Sequence, residues 1–83
     1  MFHENGPVQS AAKALRLLGL LMEAHQPLTL AALSEQTGWP KSTIHGLLST
    51  MRESAVVDQQ SDERYCLGVR LFEYGLSLIH ISE

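Results

Sequence analysis

Between Gln36 and Arg52 the chain carries Lys41, Ser42, Thr43, His45, Ser49 and Arg52 and no acidic side chain. Cations, an imidazole and hydroxyls in an acid-free stretch suit the binding of an anion, and of phosphate above all. Other chemistries fit less well. Ser42 and His45 stand one helical turn apart, the spacing of a nucleophile and its base, but no carboxylate stands by to orient the histidine. A catalytic role is therefore not expected. The histidines His3, His25, His45 and His80 lack metal-ligand spacing, and there are no paired cysteines. No metal or cofactor is expected. Cys66 has nothing basic immediately beside it and is read as a packing residue rather than a reactive thiol.

These side chains must be positioned by a single small domain, because 83 residues leave no room for two independent cores. With 45% apolar and 18% charged residues the chain is globular in composition, and at this size oligomerisation would add stability. One cysteine cannot form an internal disulfide, and no charged-then-apolar leader opens the chain, so a reducing cytoplasm is the expected location. The longest apolar stretch, Leu17–Met22 with Gly19 included, is far shorter than the roughly 20 residues of a membrane-spanning helix, and no membrane partner is expected. Six Lys and Arg against nine Asp and Glu give a formal charge of −3, a total that by itself argues against nucleic acid. The distribution argues the other way, because the acids lie outside the stretch that holds Lys41, His45 and Arg52.

Residues 1–8 contain Gly6-Pro7 without apolar periodicity and read as a flexible arm. Ser10 is a possible N-cap for a first helix, in which Ala11, Ala14, Leu15, Leu18 and Met22 form a core-facing stripe. Leu17, Leu20 and Leu21 widen that stripe, which points to a helix covered on more than one side and to a homodimer contact through these three leucines. Isolated exposed leucines are the alternative. Gln26-Pro27 ends the helix, Thr29 can cap a second one over about residues 30–37, and Gly38 suits its end. Pro40 is fitted to the first position of a third helix, in which Ile44, Leu47, Leu48 and Met51 face inward and Lys41, Ser42, Thr43, His45, Gly46, Ser49 and Arg52 outward. Val56-Val57 and Tyr65-Cys66-Leu67, separated by a polar loop, predict a two-stranded ribbon. Val69, Leu71, Phe72 and Leu76 predict a last helix with Arg70 and Glu73 outward.

Two short helices joined by a glycine turn, the second with a polar outer face, followed by a hairpin, form a winged helix-turn-helix, a mainly α fold with a small β-hairpin. Ser34, Gly38 and Ile44 have the small, glycine and apolar spacing this motif needs, with Leu33 and Leu47 flanking. The segments Val8-Gln9-Ser10, Ala14-Leu15-Arg16-Leu17-Leu18, Pro27-Leu28-Thr29-Leu30, Pro40-Lys41-Ser42-Thr43-Ile44-His45 and Arg64-Tyr65-Cys66-Leu67-Gly68 resemble the N-terminal domain of IclR-type transcriptional regulators. The resemblance covers about residues 8–75. It implies a domain that binds double-stranded operator DNA as a dimer, with the first helix in the dimer contact. It also implies that the last helix leads to an effector-sensing domain, absent from these residues, through which alone a small molecule would act. This chain departs from the family pattern at Gly46, where an arginine usually follows the histidine. Glycine offers no group for a guanine edge or a phosphate.

Within that reading, Lys41, Ser42 and Thr43 lie in the N-terminal turn of the third helix, where free N–H groups favour phosphate. Thr43 and His45 are the candidates for base edges, Ser49 shares their face, and Arg52 and Arg64 are candidate phosphate clamps. Blander roles stand beside these: Ser42 as a helix cap, Arg64 as a balance for Asp62 and Glu63, His45 as a solvated side chain, and Trp39 as a plug for the turn rather than a base-stacking platform. A winged-helix module that docks a protein without binding DNA is the competing function. Residues 76–83 alternate like a strand where a helix is expected. This octapeptide resembles the translation of a sequencing-library adapter, so the native domain is expected over residues 9–75, with a non-native tail after it.

Overall fold

Proline and glycine positions set the borders between the elements. The computed structural model describes residues 8–81, with side chains up to position 78, as α1 (Gln9–Ala24), α2 (Leu30–Thr37), α3 (Lys41–Glu53), β1 (Val57–Gln59), β2 (Tyr65–Leu67) and α4 (Val69–Ile81). Most of the expected N-terminal arm, and Ser82 and Glu83 of the expected tail, lie outside the described residues. No helix among the described residues is long and apolar enough to cross a membrane.

The core is built from Leu17 and Leu21 of α1, Leu28, Leu33 of α2, Ile44, Leu48 and Met51 of α3, Val57 of β1 and Tyr65 of β2. This shifts the facing expected for α1: Ala14 and Leu18 pack against the core as expected, but Ala11, Leu15 and Met22 do not. Leu17 is 0% and Leu21 3% exposed, whereas Leu15 is 68% and Met22 55% exposed. Leu17 and Leu21 therefore belong to the core of one chain and cannot be its dimer contact, and Leu20 is half-buried against the same core. Both stripes satisfy helical spacing, so periodicity alone could not choose between them. The inner stripe is Ala14, Leu17, Leu18, Leu21 and Ala24; Ala11, Leu15 and Met22 form a second apolar stripe in solvent. Ser10 is not a cap: Val8 precedes the helix and no side chain caps its first turn.

α2 begins and ends as its residues require. Thr29 Oγ1 accepts a hydrogen bond from the Ala32 N–H at 3.0 Å, a cap worth about 1 kcal/mol. Gly38 adopts φ 78° and donates its N–H to the Ser34 carbonyl at 2.8 Å, closing the helix with the positive φ that glycine takes without strain. Ser34 does more than leave space for the neighbouring helix, since its hydroxyl donates to the Trp39 carbonyl at 2.7 Å. Thr37 donates to the Leu33 carbonyl and accepts from the Trp39 N–H, so the turn into α3 is tied at both ends. Pro40 is the N-cap of α3 rather than its first helical residue.

The hairpin is antiparallel, with Val57 opposite Leu67, Asp58 opposite Cys66 and Gln59 opposite Tyr65. Val56 precedes the ladder, and its N–H donates to the Met51 carbonyl at the end of α3. A feature not legible in the sequence is the pairing of Leu28 with Tyr65, whose backbones exchange hydrogen bonds of 2.9 and 2.7 Å. That bridge docks the α1–α2 connection onto the hairpin. α4 departs from expectation in two ways. Helix continues through residues 76–81, where the alternation suggested a strand. Its apolar side chains are also largely uncovered: Val69, Phe72 and Leu76 lie in solvent, and only Leu71 of the expected inward set is half-buried.

Candidate nucleic-acid interface

α3 presents two faces with different chemistry. Ile44, Leu48 and Met51 are buried, and Leu47 packs at the margin of the core. Lys41, Ser42, His45, Gly46, Ser49 and Arg52 are exposed, while Thr43 is half-buried. The six expected contact positions on this helix thus share one side of a 13-residue α-helix, with Thr43 at its edge. No side chain caps the first turn, so Ser42 does not serve as a cap and the terminal N–H groups remain available at the positive end of the helix.

The hairpin stands beside this face. One cleft is lined by Thr29, Leu30 and Ala31 at the start of α2, by His45 of α3, and by Gln59, Asp62, Glu63 and Tyr65 of the hairpin. His45 thus looks into the space between α3 and the wing. The wing itself is not a row of cations. Arg64 Nε pairs with Asp62 Oδ2 at 3.4 Å, with both side chains about half exposed, and Asp62 also accepts from the Arg64 N–H. Such an exposed pair adds less than about 1 kcal/mol to stability, but it offsets the charge that a free Arg64 would present. Arg52 donates from Nη1 to Gln59 Oε1 at 2.9 Å, which joins the last turn of α3 to β1. Trp39 is half-buried against the core, and the Lys13 ammonium lies 5.2 Å from its ring centroid, so the indole acts as a plug in the turn.

The arrangement is a winged helix-turn-helix, with α2 and α3 as its helices and the β1–β2 hairpin as its wing. A family model, the IclR helix-turn-helix domain, matches residues 10–61 of the 83. The chain belongs to the IclR family.

Relatives of this IclR domain include the transcriptional repressor IclR of Escherichia coli, 35% identical over 75 residues that cover 89% of this chain and 27% of the relative. The regulator XynR of the same organism is 36% identical over 69 residues, covering 82% of this chain and 27% of its own. Among solved structures, Pseudomonas aeruginosa HmgR superimposes with a TM-score of 0.76 at 31% identity, covering 84% of this chain and 29% of that one. The chain thus spans little more than a quarter of the curated relatives it matches. These relatives are named as regulators and not as enzymes.

Sequence reasoning identified the polar face of the IclR domain's α3 but missed Gln59. That residue sits in the cleft and holds Arg52, and its only sequence signal is a polar side chain two positions after Val57 in a short strand. At Gly46 an added Cβ would meet nothing within 4 Å. Gly46→Ala is therefore expected to stabilise the domain by about 1 kcal/mol, the helix-propensity difference, as an upward shift of the urea midpoint at unchanged slope.

Proposed function

We propose that this chain is the sequence-specific, double-stranded DNA-binding domain of an IclR-type transcription regulator and works as a homodimer. The observation that carries the reading is the exposed face of α3, free of acids from Lys41 to Arg52 with Glu53 only at its last residue, set beside a wing in a chain that the IclR family model matches. Lys41 and the uncapped N–H groups of the first turn address a phosphate, Thr43 and His45 address base edges, and Ser49 and Arg52 extend the same face. Arg64 is a weaker candidate, because a phosphate must compete with Asp62 for its guanidinium. The role is binding without catalysis, and it places the chain in the cytoplasm with the DNA. Any response to a small effector would belong to parts of a longer protein outside these residues.

The dimer surface supported by the exposures differs from the three leucines first expected. Leu15 and Met22 of α1 are exposed, and Met22, Leu67, Leu71 and Phe72 line one apolar groove between α1 and α4. Apolar stripes on two neighbouring helices, uncovered in the single chain, suit a second copy related by a two-fold axis.

Fluorescence anisotropy against duplexes selected from a random pool tests the reading. Binding should weaken steeply with salt, and Lys41→Glu should lower affinity by about tenfold or more and flatten the log–log salt slope by about two units, one for each copy in the dimer. Salt-insensitive binding, or no selected duplex at all, would refute it.

A further inference from the structure

The side-chain amide of Gln59 is engaged at both ends by different elements. Its Oε1 accepts from Arg52 Nη1 at 2.9 Å, and its Nε2 donates to the Glu63 carbonyl at 3.3 Å. The amide orientation follows from its partners, since the guanidinium can only donate and the carbonyl can only accept. Glu63 lies in the wing turn at φ 71°, with its N–H donated to the Gln60 carbonyl at 2.8 Å. A single side chain therefore spans from the last turn of α3 to the tip of the wing.

We infer that Gln59 is a positioning residue for DNA binding, which holds the Arg52 guanidinium toward a phosphate while fixing the wing against α3. The inference rests on the DNA-binding reading above. A guanidinium has five N–H donors, and the bond to Gln59 uses one of them, so a bidentate face remains for phosphate oxygens. A free arginine at this exposed position would sample many rotamers, and ordering it would weaken binding; the bond to Gln59 orders it beforehand. Arg52 and Gln59 are seven residues apart and joined through the tight turn at Ser54–Val56, where the Ala55 N–H donates to the Arg52 carbonyl. The geometry thus links the wing and the recognition helix through one amide, and Gln59 contributes without needing to touch DNA.

The inference predicts a pattern that loss of fold would not produce. With the 83-residue chain and a duplex selected from a random pool by the unmodified protein, Gln59→Met is expected to weaken binding about fivefold and to lower the salt slope by about 1.8, the loss of one phosphate contact in each of the two copies on the duplex. Arg52→Ala should lower the slope equally. The double variant should fall no further than Arg52→Ala alone, while all three melt close to the unmodified protein because both side chains are at least partly exposed. An unchanged affinity and slope in Gln59→Met, or effects of the two substitutions that simply add, would overturn the inference and leave the DNA-binding reading intact. If the unmodified chain selects no duplex, both fall together.

Discussion

Replacing Gly68 with alanine is expected to cost about 3 kcal/mol, a large share of the stability of so small a domain. The reason is space rather than backbone freedom. A Cβ at this buried position would overlap the carbonyl oxygen of Ala55 and come within 2.8 Å of the Ala55 carbonyl carbon and 2.9 Å of that of Val56. These are backbone atoms at a joint with little room to move. The Gly68 N–H donates to the Val56 carbonyl at 2.9 Å, the Arg70 N–H donates to the Ala55 carbonyl at 3.0 Å, and Ala55 already sits at φ 61°. To make room, the turn after α3 must separate from the start of α4 and lose both bonds. Overpacking of this kind ordinarily costs about 1 to 3 kcal/mol, and breaking paired backbone groups adds to it. A chain of 83 residues has a total stability of roughly 4 to 12 kcal/mol, so the loss is a large share of it. Urea unfolding followed by Trp39 fluorescence measures the difference. Gly46→Ala, whose new methyl meets nothing, is the control with the opposite sign. A loss below about 1 kcal/mol in Gly68→Ala would mean that the joint yields, and that α4 is less firmly tied to the recognition helix than its hydrogen bonds imply.

The parts of the fold that could be read from sequence are those where one residue type answers one local demand. Thr29 caps α2, Gly38 ends it at positive φ, Pro40 stands at the border of α3, and Tyr65–Leu67 pairs with the strand before it. The polar face of α3 was legible for the same reason, since Ile44, Leu48 and Met51 leave no choice of phase. α1 offered that choice. It is apolar around most of its circumference, so two stripes satisfied the same spacing, and only the packing of α1, through Leu17 and Leu21, against α3 and the hairpin separated them. α4 misled for a related reason: its apolar spacing is genuinely helical, but a stripe does not reveal whether its partner lies in the same chain. The Arg52–Gln59–Glu63 link and the Leu28–Tyr65 bridge depend on how turns bring distant backbones together, and composition carries no trace of either.

The shifted facing of α1 makes a second large effect testable, because Leu15 and Leu17 are two residues apart and should respond oppositely. Leu15→Glu combined with Phe72→Glu places charge on two side chains that are 68% and 65% exposed, so folding should shift by no more than about 0.5 kcal/mol. The same charges would be buried unpaired in a dimer formed across the α1 and α4 stripes, and the dimer should dissociate. Sedimentation velocity should then show a monomer, where the unmodified chain is expected to sediment as a dimer. DNA affinity should fall about a hundredfold, since two linked half-site contacts become independent ones. Leu17→Ala should do the reverse. It empties a site that is 0% exposed and should cost about 2 to 5 kcal/mol of folding stability. Any change in its self-association should follow only from unfolding. If Leu15→Glu with Phe72→Glu leaves a dimer intact, the second copy sits elsewhere. Because the large exposed apolar side chains among the described residues lie chiefly on α1 and α4 and none lies on α3, a dimer built there leaves both copies of α3 free to face one duplex.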